Sequence, residues 1–217
     1  MPEQRYTQPE IDALYRVIAE RRDMRHFRPD PVEPATLTRL LQAAHLGPSV
    51  GYMQPWRFIR VASTALRDEL HALVEAERER TADALGERRN EFMRLKVEGM
   101  RDCGEVLVVA LCDGRERHVF GRRTMPEMDL ASAACAIQNL WLSARAEGLG
   151  MGWVSLFEPT AVAELLAMPA GAKPIAILCL GHVDAFYDQP MLEREEWAQR
   201  IPLENLVGED GWPEAGD

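Results

Sequence analysis

Ile11, Leu14, Tyr15 and Ile18 recur at i, i+3, i+4 and i+7 behind Thr7 and Glu10, which have the T-x-x-E spacing of a capping box. The pattern predicts a helix that runs to about Arg22. Leu37, Leu40, Leu41 and Ala44 mark a second helix in "PATLTRLLQAAHLG", stopped by Gly47-Pro48, and the loop "GPSVGYMQPW" then feeds a short strand, "WRFIRVA". From Ala65 to about Met100 the period stays helical, but the apolar positions (Leu70, Leu73, Val74, Leu85, Phe92, Leu95) are sparse among charges. That stretch reads as a lid-like excursion over something, or as a solvated helix pair broken near Gly86. "EVLVVALCD" and "KPIAILCLGHVD" are continuous apolar runs, as expected of strands buried on both faces, and "GMGWVSLF" is a third strand. Between them "PEMDLASAACAIQNLWLSARAEG" is a helix with alanine on several faces, suited to close approach by another helix or subunit, and "PTAVAELLAMP" is a short helix.

Helices and strands alternate without a regular βαβ cadence, so the expected class is α+β, a central sheet flanked by helices. Residues 1–217 read as one domain, and the tail from about 185 to 217 holds enough Trp, Leu and Ile to dock on the body or on a partner chain. The mixture of 47% hydrophobic and 28% charged residues is that of a globular protein. Lys plus Arg (25) less Asp plus Glu (35) gives a net charge of −10, which opposes wrapping around a polyphosphate backbone and points away from nucleic acid. A small anion is still allowed, because carboxylates beyond a Debye length of about 8 Å are largely screened and nearby arginines decide.

The four cysteines (Cys103, Cys112, Cys135, Cys179) are widely spaced and form no CxxC, so they read as small buried hydrophobes in a reducing compartment. The start "MPEQRYTQPE" has no apolar signal core and no run approaches membrane-spanning length, which makes the expectation cytoplasmic, with no membrane partner. The five histidines show no HxxxH or HxH pair, and no metal site is expected.

Two motifs mislead. "GPSVG" matches the G-x-S-x-G nucleophile elbow, but that motif needs a strand before the serine and a helix after it, and here the order is helix, loop, strand. "GLGMG" (148–152) follows a helix and opens a strand, the reverse of a dinucleotide fingerprint. "RRDMR" (21–25) is a richer feature. On its own, a pair of arginines at a helix end merely complements the macrodipole, worth about 0.3–1 kcal/mol. The picture changes when the loop starting 24 residues after Asp23 is added, since it offers backbone N–H groups, the Ser49 hydroxyl, the Gln54 carboxamide and the Trp56 ring. Guanidinium forks for a terminal phosphate plus an aromatic-walled loop suit a phosphorylated planar heterocycle.

"ERRDMRHF" followed by "LLQAAHLGPSVGYMQPWRFIRV" resembles the flavin-binding entry of the nitroreductase-like FMN proteins, which carry R-R-S-x-R and then A-P-S-x-x-N-x-Q-P-W. Asp23 stands where serine is usual, and Met53 falls near the loop's asparagine. With "LKVEGMRDC", "MPEMDLASAACAIQNLWLSARAEGLGMGWVSLF", "AILCLGHVD" and "EEWAQRIPLENLVGEDGW", the chain is similar, from about Tyr15 to Trp212, to the branch of that family that consumes reduced FMN.

The resemblance implies a nitroreductase-like fold with a mostly antiparallel sheet and an intertwined homodimer. It implies O2-dependent fragmentation of reduced FMN to 5,6-dimethylbenzimidazole, the lower ligand of vitamin B12, and erythrose 4-phosphate, with an external flavin reductase supplying the reduced FMN. By residue it places FMN against Arg21, Arg22, Asp23, Met24, Arg25, Ser49, Gly51, Met53, Gln54, Val97, Ser155 and Arg200. Arg21, Arg22 and Arg25 would hold the phosphate and Asp23 would be a positioned acid/base, with Ser155 bonded to the ring or ribityl chain. Val97 would come from the lid, which excludes water, and Arg200 would be a second phosphate contact. The alternatives are a conventional FMN-dependent NAD(P)H nitroreductase or flavin reductase and a non-enzymatic flavin carrier.

Overall fold

The computed structural model describes residues 5–213 and divides into two compact units, one running to Phe186 and one starting at Tyr187. In the first, α1 (Gln8–Glu20) opens with the Thr7 N–H donating to Glu10 Oε2 at 2.8 Å. It ends two residues earlier than the period suggests, because Arg21 turns extended. None of its residues is buried, and Leu14, Tyr15 and Ile18 are 55%, 67% and 47% exposed. The apolar stripe is formed as predicted, with Ile11 half-buried and Leu14, Tyr15 and Ile18 left on the surface.

Then come α2 (Pro34–His45), β1 (Trp56–Arg60), α3 (Thr64–Ala84), α4 (Arg89–Arg94), β2 (Glu105–Leu111), α5 (Met128–Ala146), β3 (Gly150–Val154), α6 (Pro159–Leu165) and β4 (Lys173–Gly181). The strands form one antiparallel sheet in the order β1-β2-β4-β3. β2 is buried throughout because both faces are covered. Leu107, Val109 and Leu111 join Leu178 and Leu180 of β4 under α2 and α5, while Val106 and Val108 join Ile177 and Cys179 under α3 and α6. Period-2 alternation between two apolar faces is what an unbroken hydrophobic run means in sequence.

The charged excursion is α3, a break at Gly86 (φ +56) and α4. Arg78 Nη2 ties its return leg down by donating to the Met93 and Leu95 carbonyls at 2.7 and 3.0 Å. The cysteines correct an expectation. Cys103 and Cys179 are buried, but Cys112 is half-buried and Cys135 exposed, since α5 turns Ser132, Ala133, Ala136 and Ile137 inward and leaves Ala131, Cys135 and Gln138 outside. The two buried thiols, 76 residues apart in sequence, belong to one core cluster, where Cys103 Sγ donates to the Glu105 carbonyl at 3.2 Å.

The second unit holds α7 (Met191–Arg194) and a single 3-10 turn at Leu203–Leu206, with Arg194 over the Tyr187 ring at 5.0 Å. It exposes Ile201, Leu203, Leu206, Val207 and Trp212. Among the described residues no helix is long and apolar enough to cross a membrane.

Glu105, whose side chain is 4% exposed, takes both oxygens to Arg60 at 2.6 Å. Removing one partner of a buried pair strands the other charge. Arg60→Met is expected to cost about 2 kcal/mol in urea unfolding, below the range for fully buried pairs because Arg60 is half exposed, and adding Glu105→Gln to it should restore most of the loss.

Candidate functional site

Past α1 the chain runs extended beside β3, which is an edge strand of the sheet. Asp23 forms a single parallel bridge with Met151, and the Met24 N–H donates to the Met151 carbonyl at 2.9 Å. One register on, the Trp153 N–H donates to Asp23 Oδ1 at 3.0 Å, and Arg25 Nη2 donates to Asp23 Oδ2 at 2.6 Å and to the Trp153 carbonyl at 2.9 Å. Glycine makes this approach possible. A Cβ at 152 would lie 2.3 Å from the Met24 carbonyl oxygen and 3.0 Å from Arg25 Nη1, and one at 150 would lie 2.5 Å from Val183. Gly150 and Gly152 of "GLGMG" therefore leave a strand edge that admits the arginine segment, a use of glycine for close backbone approach.

The three arginines do not point one way. Arg22 Nη1 donates to the Ala19 and Arg21 carbonyls at 2.7 and 2.9 Å, closing the end of α1. Arg21 lies over the Trp141 ring, 4.5 Å from its centre, while the Trp141 indole N–H donates to the Arg22 carbonyl at 3.2 Å. Arg25 is buried against Asp23. The Asp23 carboxyl keeps 42% of its side-chain surface open, yet faces inward to Arg25 and the β3 backbone. Desolvation by the protein packed around it raises its pKa above the ordinary carboxylate value, against the opposing pull of Arg25, the Trp153 N–H and Arg21.

The predicted ring loop is at the other side of the sheet, leading into β1. It makes one 3-10 turn, Val50–Tyr52, with Gly51, Tyr52 and Gln54 at φ +52, +54 and +49. Two non-glycine residues in that region are costly and cluster at ligand clamps. Ser49 Oγ accepts from the Gln54 N–H at 3.1 Å, and the Val50 N–H donates to Ser132 Oγ at 3.0 Å. Met53 and Gln54 line a cavity of about 520 Å³ together with His45, Trp56 and Phe58.

Ser155 is exposed just beyond β3, on a cavity of about 390 Å³ that also receives Arg115, Asp129 and Lys173. Val97 is half-buried in the extended segment after α4. Two residues on, Gly99 packs against the arginine segment, where a Cβ would sit 2.6 Å from the Phe27 ring and 2.9 Å from the Arg25 carbonyl oxygen. Arg200 belongs to the second unit, exposed, with its Nε 3.7 Å from Glu193. The structure thus gathers Asp23, Met24 and Arg25 on β3, with Ser155 on the same strand's exit. Ser49, Gly51, Met53 and Gln54 form a separate group. Sequence reasoning passed over Asp129, whose available signal was a lone carboxylate opening the alanine-rich helix with Arg115 and Arg122 upstream.

The sequence model of the Nitroreductase family matches residues 18–182, and the chain belongs to that family. Among its relatives is a 5,6-dimethylbenzimidazole synthase of Rhodobacter capsulatus, 41% identical over 201 residues that make up 92% of this chain and 97% of the relative. A protein of the same name from Rhodospirillum rubrum is 42% identical over 198 residues, 88% of this chain and 90% of that one. Solved structures share the fold. The NADPH:FMN oxidoreductase of Vibrio harveyi complexed with NAD+ superposes with a TM-score of 0.71 at 20% identity, covering 94% of this chain and 80% of that one. Iodotyrosine deiodinase bound to FMN and 3-iodo-L-tyrosine gives 0.66 at 22% identity, covering 81% and 92%. The architecture is therefore the nitroreductase fold.

Because the folded-state pKa of Asp23 is raised, its protonated form favours the fold. That contribution is complete below the unfolded value of about 3.9 and is lost as pH rises through the folded midpoint. A carboxyl NMR titration should place the Asp23 midpoint above about 3.9, and Arg25→Met should move it higher still. A midpoint below the unfolded value would contradict this account.

Proposed function

We propose that this protein fragments reduced FMN, with O2, to 5,6-dimethylbenzimidazole and erythrose 4-phosphate, a step in making the lower ligand of vitamin B12. The observation that carries the reading is Asp23, a carboxyl with raised pKa whose two oxygens are fixed by the Trp153 N–H and by Arg25. A serine in that place is a far weaker acid and base than a carboxyl whose two oxygens are held in fixed directions. The relatives named for this synthesis add support over nearly the whole chain.

The residues fit FMN. Guanidinium groups of Arg21 and Arg25 lie close enough to act on the Asp23 carboxyl, and the ring loop holds strained backbone at Gly51, Tyr52 and Gln54. Arg21 would hold the phosphate, with Arg200 as a further contact, while Arg22 closes α1 and Arg25 orients the Asp23 carboxyl. Met24, Ser49, Gly51, Met53, Gln54, Val97 and Ser155 would surround the ring and chain. Bound reduced FMN supplies the carbon skeleton that is cleaved. The protein's own part is to grip the charged end, to move a proton at the Asp23 carboxyl, to hold a hydroxyl at Ser155 and to exclude water with the segment that carries Val97.

Within one protomer the arginine segment lies along β3 and the ring loop leads into β1, opposite edges of the sheet. A homodimer unites them across two copies, and the exposed stripe of α1 with the outward face of α5 gives it an apolar surface. Reduced FMN would come from a separate flavin reductase in the cytoplasm.

Purified protein given reduced FMN under air should yield the benzimidazole, and Asp23→Asn should still bind FMN while losing about 10²-fold or more in yield. Full turnover by the Asn variant would remove the assigned role. Repeated NAD(P)H oxidation with a nitroaromatic acceptor and no loss of flavin would instead identify a conventional nitroreductase. Ile18→Asp should convert the dimer to monomers in sedimentation analysis and weaken FMN binding with it.

A further inference from the structure

The segment between β2 and α5 packs against the ring loop and shares a cavity with Ser155. Gly51 faces the Phe120 carbonyl oxygen, which would be 2.9 Å from a Cβ there, and Gly121 (φ +76) has the Val50 side chain 2.5 Å from where its own Cβ would be. Two glycines therefore let the segment and the ring loop interlock, the Phe120 backbone against Gly51 and the Val50 side chain against Gly121. The same segment sends Arg115 into the cavity on which Ser155 opens.

Its anchor is Asp129, 6% exposed in the first turn of α5. Asp129 Oδ2 accepts from Arg115 Nε at 2.8 Å and from Arg122 Nη2 at 3.1 Å. Arg115 also donates to the carbonyls of Cys112 and of Gly171, the latter at 2.8 Å, and Arg122 Nη1 donates to the Arg115 carbonyl at 2.5 Å. The segment is thus folded back on itself around one carboxylate. One turn along α5, Ser132 Oγ takes the Val50 N–H and donates to the Met128 carbonyl at 2.6 Å, so the same helix holds the ring loop from beneath.

A buried ion cluster is a poor source of stability, and Arg122 Nε is buried with no hydrogen-bond partner among the described residues. What such a cluster supplies well is a single conformation. We propose that Asp129 is a positioning residue for the ring-binding loop: through Arg115 and Arg122 it holds Phe120 and Gly121 against Val50 and Gly51, and so sets the loop's shape for a planar heterocycle. This rests on the FMN reading for the ligand, but the coupling between the two loops can be measured without it.

The test uses the full chain as wild type, Asp129→Asn, Asp129→Glu and Arg60→Met, the last a destabilised control remote from the loop. Amide hydrogen exchange without FMN should accelerate in Asp129→Asn both over 112–126 and over 49–54, and Arg60→Met should leave 49–54 unchanged. The Kd for oxidised FMN, read by flavin fluorescence, should rise about tenfold in Asp129→Asn, the scale on which outer-shell contacts tune a site, with partial recovery in Asp129→Glu. A folded Asn variant whose faster exchange stops at 112–126, or whose Kd stays within about twofold of wild type, overturns the proposal. Should Asp129→Asn fail to fold, Arg115→Met and Arg122→Met carry the same expectations and the same refutations. If wild type binds no FMN, the functional reading fails, while the exchange over 49–54 still decides whether Asp129 controls the loop.

Discussion

The site depends on one backbone contact: a stretch of chain leaving α1 lies against β3 with almost nothing between them. The contact is a single bridge, Asp23 to Met151, continued by side-chain bonds at Trp153. It requires that residue 152 have no side chain, because the Met24 carbonyl occupies the place of a Cβ. Everything chemically distinctive about Asp23 follows from it. The strand supplies the N–H that orients one oxygen, the neighbouring Arg25 is drawn under cover to hold the other, and the packed surroundings raise the pKa.

Much of the fold can be read along the chain because each face is written in a simple period. The unbroken runs of β2 and β4 announce a sheet covered on both sides, and the Thr7–Glu10 pair marks the start of α1. The cysteines show where this reading fails. An apolar neighbourhood suggested burial for Cys135, but on a helix facing is set by the 3.6-residue turn, and Cys135 falls on the outer side. The meeting of Cys103 with Cys179 in one core cluster depends on strand pairing between distant segments, which no local pattern encodes.

The site was legible as a set of residues and not as a shape. "RRD" and "PSVGYMQPW" stand out by composition, yet the sequence suggested one clamp of three arginines, whereas Arg22 closes a helix, Arg21 lies on Trp141 and Arg25 is turned inward. Side-chain direction is fixed by backbone conformation at each position, and the change from helix to extended chain at Arg21 sends successive side chains apart. Asp129 was passed over for a related reason. Its importance comes from two arginines arriving from a loop with no periodic signal, so only the folded chain brings them together.

The bare edge at Gly152 also has a genetic side. Any single-base change in the first or second position of a glycine codon that leaves a sense codon installs a residue with a Cβ, and the smallest of these, alanine, already collides with the Met24 carbonyl. No conservative missense route leads away from this residue, so inherited variation here should be confined to silent changes as long as the gene is under selection.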